Sequence, residues 1–311
     1  MKTITKTCIL CILFAITACI NNKKPSTKGK SSCVFPPEMV EFAPNRNNPV
    51  FTGTGTETWD KKIRERGYIL FENNLYKMWY TGYNEIDNQK YLGYATSTDG
   101  INWGRYSDRP IFNEKWTEDM FVFMDGGSYY MYAEGKNDIA HLLVSEDGIN
   151  WQEKGDLQIY SVTGKQIESP YGTPTVWVED GKWFLFYERR DAGIWLAESG
   201  DKIKWVNLQD EPVLGLGPKE YDIAAIAANQ VVKYKGCYYL YYHATSDHRW
   251  ANSQVLWSSN VAMSTDLIHW IKYPGNPVVE VDHSSPILVF DGEKPSLYTM
   301  HSDVWRFDPK Y

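Results

Sequence analysis

Short aromatic strands, each following a polar turn, recur along the chain. They are NNLYKMWYTG (73–82), GGSYYMYAEG (126–135), DGKWFLFYER (180–189), YKGCYYLYYHA (234–244) and DGEKPSLYTMHS (291–302). A strand rich in β-branched or aromatic residues precedes each turn, so each unit has the pattern of a β-hairpin. After four of the five hairpins come a third apolar strand and then a short polar one. The pattern therefore predicts four strands per unit.

A second repeat, Ser-x-Asp followed by Trp, separates the third strand of a unit from the fourth. Its copies are STDGINW (97–103), SEDGINW (145–151), SGDKIKW (199–205) and STDLIHW (264–270). Short polar side chains in such turns cap backbone N–H groups, and we expect the tryptophan to pack between neighbouring units. Because the aspartate recurs in unit after unit, the pattern favours a structural role for it over a catalytic one.

Four-stranded units with a period of about fifty residues are typical of a β-propeller. The five hairpins predict an all-β, five-bladed β-propeller with four-stranded antiparallel blades. The fifth hairpin ends at the C-terminus after two strands, so we expect residues 34–60 to supply its outer strands. These boundaries predict a single propeller domain over residues 34–311.

The first 33 residues have a different character. Two lysines precede the apolar stretch CILCILFAITA (8–18), which is too short for a stable membrane span. The stretch ends in Ile-Thr-Ala-Cys, which resembles a bacterial lipobox, whose cysteine is lipidated and becomes the mature N-terminus. We therefore predict a lipoprotein signal peptide over 1–18, lipidation of Cys19 and a flexible tether over 19–33. An ordinary signal peptide cleaved nearby is the alternative.

This prediction places the protein in the cell envelope, with its lipid in the outer membrane, on the periplasmic face or at the cell surface. The net charge of −7 and the lack of a basic run beyond the tether argue against a nucleic-acid partner. Cys33 and Cys237 are the cysteines that remain outside the signal and the lipid site. A disulfide between them is allowed in an oxidising compartment, but the sequence does not set their distance.

Functional residues in a symmetric scaffold are expected where equivalent positions of the blades differ. The last residues of the second strands differ strongly and are Thr81, Glu134, Glu188, His243 and His301. Two carboxylates and two imidazoles at one edge of the blades predict a functional opening of the central channel.

Acidic residues also precede the first strands, at the same edge. They are Asp60, Asp119, Glu168, Asp222 and Asp282, and aromatic residues stand close to most of them. An acid beside an aromatic ring suits a sugar site, because the carboxylate can transfer protons while the ring stacks on a sugar face. The carbohydrate is thus the expected partner of this edge.

Three segments resemble the five-bladed β-propeller glycosidases. They are WDKKIRERGYILFENNLYKMWYTG (59–82), YGTPTVWVEDGKWFLFYER (171–189) and NQVVKYKGCYYLYYHAT (229–245). That group includes glycoside hydrolase families 43, 117 and 130 and the propeller domain of the family 32 invertases. The resemblance covers roughly residues 45–305. It implies a glycoside hydrolase acting on glycans or oligosaccharides, exo-acting and inverting.

The resemblance also implies catalytic roles. Family 43 enzymes carry a base, a pKa-tuning carboxylate and an acid in their first three blades, and Asp60 and Asp119 are similar to the first two. The third position falls on Gly172, so we expect the neighbouring Glu188 to act as the acid, with Glu168 as the alternative.

Families similar to family 117 use a histidine as the general acid, and the resemblance implies that His243 or His301 could have this role. Asp119 or Asp222 would raise the pKa of the acid. The residues expected to bind substrate are Trp59, Arg66, Glu134, Glu168, Thr173, Arg189, His243 and His301.

Two other functions remain open. A glycoside phosphorylase similar to family 130 would bind phosphate through arginine and histidine at the opening. A sugar-binding propeller lipoprotein without activity would keep the aromatic residues and would not need the carboxylates. No cysteine and histidine cluster has zinc spacing, and we expect no cofactor and no metal at the site, with a structural calcium ion in the central channel as the alternative.

Overall fold

The structure, a computed structural model, describes residues 33–87, 89–280 and 282–311. The predicted signal peptide, Cys19 and almost all of the predicted tether lie outside the described residues. Within the described ranges, the helices are far too short or too polar to cross a lipid bilayer.

The described chain begins with one helical turn, α1 (Pro37–Val40), and a short strand, β1 (Phe42–Pro44). Five sheets then follow one another, which confirms the predicted all-β, five-bladed propeller. Blades 1 and 2 are four-stranded and antiparallel. Their strands are β2 (Lys62–Glu72), β3 (Leu75–Tyr83), β4 (Tyr91–Ser97) and β5 (Gly104–Arg105), then β6 (Glu118–Asp125), β7 (Ser128–Gly135), β8 (Ile139–Ser145) and β9 (Gln152–Asp156).

The sheet of blade 3 has six strands, and that of blade 4 has four. The strands of the two blades, in chain order, are β10 (Gln158–Tyr160), β11 (Thr175–Glu179), β12 (Lys182–Glu188), β13 (Gly193–Ser199), β14 (Lys204–Asn207), β15 (Leu214–Gly215), β16 (Ala225–Tyr234), β17 (Cys237–Thr245), β18 (Ser258–Ser264) and β19 (Trp270–Lys272). β10 runs parallel to β14, and β15 pairs with β13. A short 3-10 turn (Glu220–Asp222) leads into blade 4.

Blade 5 joins the two ends of the chain. It contains β20 (Pro286–Phe290), β21 (Pro295–Met300), β22 (Val304–Pro309) and, on its outer edge, β1, which pairs antiparallel with β22. The N-terminal region therefore closes the ring, as predicted, but with one strand only. The expectation that it supplies both outer strands is wrong, because the last residues of the chain turn back and form the third strand themselves.

The Ser-x-Asp turns are capped as the sequence predicts. In the copy of blade 2, Asp147 Oδ1 accepts the N–H groups of Ile149 and Asn150 at 2.8 and 2.7 Å, and Ser145 Oγ accepts that of Gly148 at 2.9 Å. These bonds stabilise the charged form and hold the pKa of Asp147 below its usual range. The carboxylate is thus part of the turn.

The tryptophan of each repeat packs on the second strand of the preceding blade. The ring pairs are Trp151 with Trp79 (6.3 Å between centroids), Trp205 with Tyr132 (5.8 Å), Trp270 with Phe186 (5.9 Å) and Trp103 with Tyr298 of blade 5 (6.5 Å). All four contacts are edge-to-face, a favourable aromatic geometry. The repeat therefore builds the seams between blades.

The seam between blades 4 and 5 is built differently, because blade 5 has no such turn. Here the N-terminal segment fills the gap: Met39 and Phe42 lie in the same buried cluster as Tyr241, whose hydroxyl donates to the backbone oxygen of Met39 at 2.6 Å. A disulfide joins Cys33 to Cys237 at the start of β17, which settles the pairing that the sequence left open.

Candidate active site

A cavity of about 590 Å³ opens where the first strands of the blades begin and the second strands end. Four of the five predicted second-strand positions line it: Glu134, Glu188, His243 and His301. The fifth, Thr81, donates instead to a backbone oxygen at the start of blade 2. The strand register in the sequence thus predicted which side chains of blades 2 to 5 meet.

The first strands contribute a second ring of side chains. Glu65, Asp119, Thr173 and Ser285 all line the cavity, and all have backbones in the left-handed region, with φ between 46° and 58°. In blades 1 and 2 this point falls within an irregularity of the strand register. Such a conformation is costly for residues other than glycine and is found most often at functional sites. The same distortion, at or just before the first strand, thus places one side chain each from blades 1, 2, 3 and 5 at the cavity.

Asp119 is the most strongly perturbed of the predicted catalytic residues. Its side chain is buried, and its Oδ1 accepts the backbone N–H of Arg66 at 3.3 Å. Burial, together with the negative charge of Glu65, raises the pKa of Asp119 well above its usual range. A carboxyl group with a raised pKa keeps its proton to higher pH, which suits it to deliver that proton to a substrate.

The pKa of Glu65, at the equivalent position of blade 1, is shifted in the opposite direction. Burial opposes its ionisation, but Arg64 at 2.6 Å and the imidazole of His301 at 3.8 Å outweigh burial and lower the pKa of Glu65. Arg64 also contacts Glu118, 3.0 Å away. Two carboxyl groups with opposite shifts therefore face one cavity, the arrangement expected of an acid and a base.

Glu134 and Glu188 enclose the position where the sequence lacks the expected acid. Glu188 accepts the N–H groups of Gly172 at 2.8 Å and Asp191 at 2.5 Å, and Glu134 accepts that of Thr173 at 2.9 Å. A Cβ atom on Gly172 would lie 2.2 Å from Glu134 Oε2 and 2.7 Å from Glu188 Oε1. Two carboxylates from neighbouring blades thus occupy the space that a side chain at residue 172 would need.

Burial and neighbouring charges also raise the pKa values of other acids at the cavity. Burial and the charge of Asp119 raise the pKa of Glu134, and burial and the charge of Glu188 raise the pKa of Asp191. Burial also raises the pKa of Glu188, although its two backbone donors oppose the shift. These carboxyl groups therefore keep their protons to higher pH than exposed ones do.

Blade 4 supplies a neutral and aromatic wall. Burial lowers the pKa of His243 to about 4, and its Nδ1 accepts a hydrogen bond from Asn229 at 3.1 Å. Trp257 meets the imidazole edge-to-face at 5.1 Å, and Trp250 lies 6.2 Å from Trp257. Both tryptophans line the cavity from the segment 246–257, the longest link between a second and a third strand. The sequence analysis did not select them, although two tryptophans in one long link were a usable signal.

Asp60, the predicted base, is not among the residues that line the cavity. Its carboxylate is buried and already satisfied: Arg105 Nε lies 2.7 Å away, and the hydroxyls of Tyr80 and Thr58 donate to it. Trp59 is likewise turned away, stacking on Tyr80 with its indole N–H bonded to a backbone oxygen. The structure thus corrects the placement of both residues.

Asp222 is also absent from the lining. It is completely buried in blade 4, where it pairs with Lys272 at 2.5 Å and accepts a hydrogen bond from Tyr242 at 3.2 Å. Arg66, expected to bind substrate, is completely buried and is not among the residues that line the cavity. It donates to the backbone oxygens of Asp119, Pro174, Ala228 and Asn229 and so connects blade 1 to blades 2, 3 and 4. Glu168 and Arg189 line a separate groove.

Glu65 also lines the cavity without having been predicted from the sequence. It lies 54 residues before Asp119, and Asp119 lies 54 residues before Thr173. Equal spacing would have selected Glu65 over Asp60. Within the described residues, no group of three or more histidine, cysteine, aspartate or glutamate side chains has a metal-binding arrangement.

Comparison with known proteins supports the class that this fold and site define. No protein-family model matches the chain. The chain is 25% identical over 231 residues to the 1,2-β-oligomannan phosphorylase of Thermoanaerobacter sp. (strain X514), covering 68% of this chain and 74% of that protein. It is 28% identical over 285 residues to the β-1,2-mannobiose phosphorylase of the same strain, covering 65% and 93%.

Solved structures share the fold. The β-1,2-mannobiose phosphorylase of Listeria innocua, in complex with β-1,2-mannobiose, superposes with a TM-score of 0.66 at 14% identity over 86% of this chain and 96% of its own. A second structure, from work on family 130 hydrolases that target β-1,2-mannosidic linkages in Candida mannan, has a TM-score of 0.66 at 16% identity over 88% and 95%. The chain therefore shares the five-bladed β-propeller fold of these enzymes. The two curated proteins that it is similar to are both mannoside phosphorylases.

Proposed function

We propose that this protein cleaves β-mannosidic linkages of glycans by phosphorolysis. The observation that carries the proposal is a sugar-sized cavity that brings together Asp119, a buried acid with a raised pKa, and the cationic side chains of Arg64 and Arg190. The two phosphorylases with 25% and 28% identity support the choice of phosphate as the nucleophile and of a β-1,2-mannoside as the substrate. This proposal replaces hydrolysis, the first expectation from the sequence, with its phosphorylase alternative.

In inverting phosphorolysis, a phosphate oxygen bonds to the anomeric carbon while the bond from that carbon to the leaving oxygen breaks. The leaving oxygen needs a proton, and Asp119 holds one in the cavity. Phosphate is already an anionic nucleophile, so no protein base has to activate it. The products are a sugar 1-phosphate and a glycan shortened by one unit.

Arg64, Arg190 and His301 are the groups that would bind phosphate. All three line the cavity, and the charges of Glu65 and Glu118 raise the pKa of Arg64 despite its burial. Arginine is suited to this task because its planar fork donates two hydrogen bonds to one phosphate. Trp250 and Trp257 would stack on the terminal sugar and close the cavity on the side of blade 4, which suits exo action.

Hydrolysis is the second candidate, and one observation favours it. Six carboxyl groups but only two arginines line the cavity, which is an unfavourable ratio for a phosphate dianion. Water would then be the nucleophile, and Glu65, which stays ionised, would remove its proton while Asp119 protonates the leaving oxygen.

The test is to incubate the mature protein with β-1,2-mannobiose or β-1,2-mannotriose, with and without inorganic phosphate, and to separate the products by chromatography. Formation of mannose 1-phosphate only when phosphate is present supports phosphorolysis. Free mannose released at the same rate without phosphate establishes hydrolysis. Binding of the sugars without any product would leave a sugar-binding lipoprotein.

We also propose that the protein is anchored to the outer membrane through lipid on Cys19. The disulfide between Cys33 and Cys237 supports an oxidising compartment such as the periplasm. Fractionation of cells that express Cys19→Ala checks the anchor. Loss of the protein from the membrane fraction, or accumulation of an unprocessed form, is expected. Unchanged membrane association of the variant would contradict the proposal.

A further inference from the structure

A second cavity, of about 650 Å³, adjoins the first along blade 3 and shares Pro170 and Arg190 with it. It lies between the segment 161–170 and the turn that follows β12, and Trp195 of β13 forms part of its wall. Because the two cavities share lining residues, a ligand bound in one lies next to the other.

Three cationic side chains line this groove: Lys165, Arg189 and Arg190. Among the described residues, none of the three forms an ion pair with an acidic side chain. Three cationic side chains along one groove, with no carboxylate partner among the described residues, suit the binding of an anion.

The arginine beside Trp195 is held in place. The guanidinium of Arg189 lies 5.2 Å from the centroid of the indole ring, a cation–π distance. The indole is fixed in turn, because its N–H donates to the backbone oxygen of Asp210 at 2.9 Å. An arginine held this way loses little side-chain freedom when it binds an oxyanion.

Two carboxylates also line the groove. Asp210 Oδ1 accepts the backbone N–H of Val162 at 3.1 Å and an amide hydrogen of Asn207 at 3.4 Å. Hydrogen bonds within the protein therefore already use one oxygen of this carboxylate. Glu168 is exposed to solvent. Three cationic side chains against two carboxylates leave the groove with a net positive charge, which favours the binding of an anion.

We propose that this groove binds the part of the glycan beyond the cleaved bond, and that this part carries an anionic group, a uronic acid carboxylate or a phosphate ester. The inference rests on the proposed function, since it places the cleaved bond in the adjoining cavity. It adds the chemical class of the substrate: an acidic oligosaccharide with a mannosyl terminus.

The kinetic test compares two oligosaccharides with the same terminal mannoside, one ending in mannose and one in mannuronic acid. For the wild type we expect a higher kcat/KM on the acidic oligosaccharide. Lys165→Ala and Arg189→Ala should each reduce that preference by roughly 10-fold, the usual effect of losing one charged hydrogen bond. Lys182→Ala is the matched control, because Lys182 is an exposed lysine at the opposite end of β12. A preference that is absent in the wild type, or unchanged in both groove variants, would overturn the inference.

Equilibrium binding separates this inference from the proposed function. Calorimetry with mannuronic acid, mannose 6-phosphate, mannose and inorganic phosphate needs no turnover. Tighter binding of both sugar acids than of mannose, weakened in Arg189→Ala, supports the groove even if no cleavage is found. Under the proposed function inorganic phosphate also binds, but in the adjoining cavity, so its affinity should be unchanged in Arg189→Ala. Phosphate binding that Arg189→Ala weakens as much as it weakens binding of mannose 6-phosphate would show a site for free anions and contradict a glycan subsite.

Discussion

Asp119 and Glu65 occupy equivalent positions in neighbouring blades, yet their surroundings shift their pKa values in opposite directions. Asp119 is buried among other acids, whereas Glu65 contacts a guanidinium and lies near two imidazoles. Each residue has a distorted backbone, with φ of 46° and 54°. The distortion places the two carboxyl groups at the cavity, and the neighbours decide which of them keeps its proton.

The first prediction concerns the proton donor. Asp119→Asn removes the proton that the leaving oxygen needs, and turnover per folded molecule should fall by about 10²–10⁴-fold. Asp60→Asn is the control: Asp60 pairs with Arg105 outside the cavity lining, so this variant should lose stability and keep its turnover. Rates on the preferred mannoside and melting temperatures of both variants check the prediction. Lost turnover in Asp60→Asn together with retained turnover in Asp119→Asn would instead assign the catalytic role to Asp60.

The second prediction concerns Glu134 and pH. Burial raises the folded-state pKa of Glu134 above its unfolded value near 4.5. The protonated form therefore adds stability below that value, and this contribution is lost as pH rises through the raised pKa. Glu134→Gln keeps an oxygen for the N–H of Thr173 and has no proton to lose.

At pH 8 the variant should therefore have a higher melting temperature than the wild type, by about 2–4 °C for each kcal/mol gained in free energy of unfolding. This difference in melting temperature should disappear towards pH 4. Thermal melts from pH 4 to pH 8 measure this gap. Glu146→Gln, at an exposed residue of the same blade, serves as the control and should leave the pH dependence unchanged. A constant gap across the range would show that the carboxyl group of Glu134 is not desolvated.

At the scale of the element, each of blades 1 to 4 is a hairpin extended by a capped turn and a tryptophan. The cap depends on residues within one short motif, and the tryptophan contact reaches the preceding blade. The motif thus links local turn chemistry to packing between blades. The active-site cavity lies elsewhere, at the edge where first strands begin, so cap and chemistry can be tested separately.

The third prediction tests that separation. Asp147→Ala removes the acceptor of two backbone N–H groups and should lower the free energy of unfolding by about 1–2 kcal/mol, with turnover per folded molecule retained. The neighbouring Glu146→Ala is the matched control, since its exposed side chain is not part of the cap. Denaturant titration with an activity assay on the same samples gives both quantities. Lost activity at unchanged stability would contradict a purely structural turn.

At the scale of the whole molecule, closure of the ring depends on residues far apart in sequence. β1 completes blade 5, and the disulfide from Cys33 to Cys237 ties the same N-terminal segment to blade 4 across 204 residues. A cross-link over so long a loop removes many conformations from the unfolded chain. The closure therefore has both a hydrogen-bonded and a covalent part.

The fourth prediction follows from that cross-link. Cys33→Ser/Cys237→Ser should lower the free energy of unfolding by about 2–4 kcal/mol while the sheet content is retained, because the five blades and their seams remain. Urea titrations with and without reductant provide the measurement. The wild type should respond to reductant and the double variant should not. A wild type insensitive to full reduction would show that the disulfide adds nothing to stability.

The sequence by itself determined the blade count, the capped turns and the strand-end group of Glu134, Glu188, His243 and His301. Those features rest on short-range periodicity and turn chemistry, which are complete within some fifty residues. The tertiary structure decided which first-strand residues face the cavity, and it selected Glu65 over Asp60. A strand turns its side chain to the opposite face with every residue, so a distortion one residue long reverses the assignment. Charges from a neighbouring blade likewise contribute to the raised pKa values of Asp119 and Glu134.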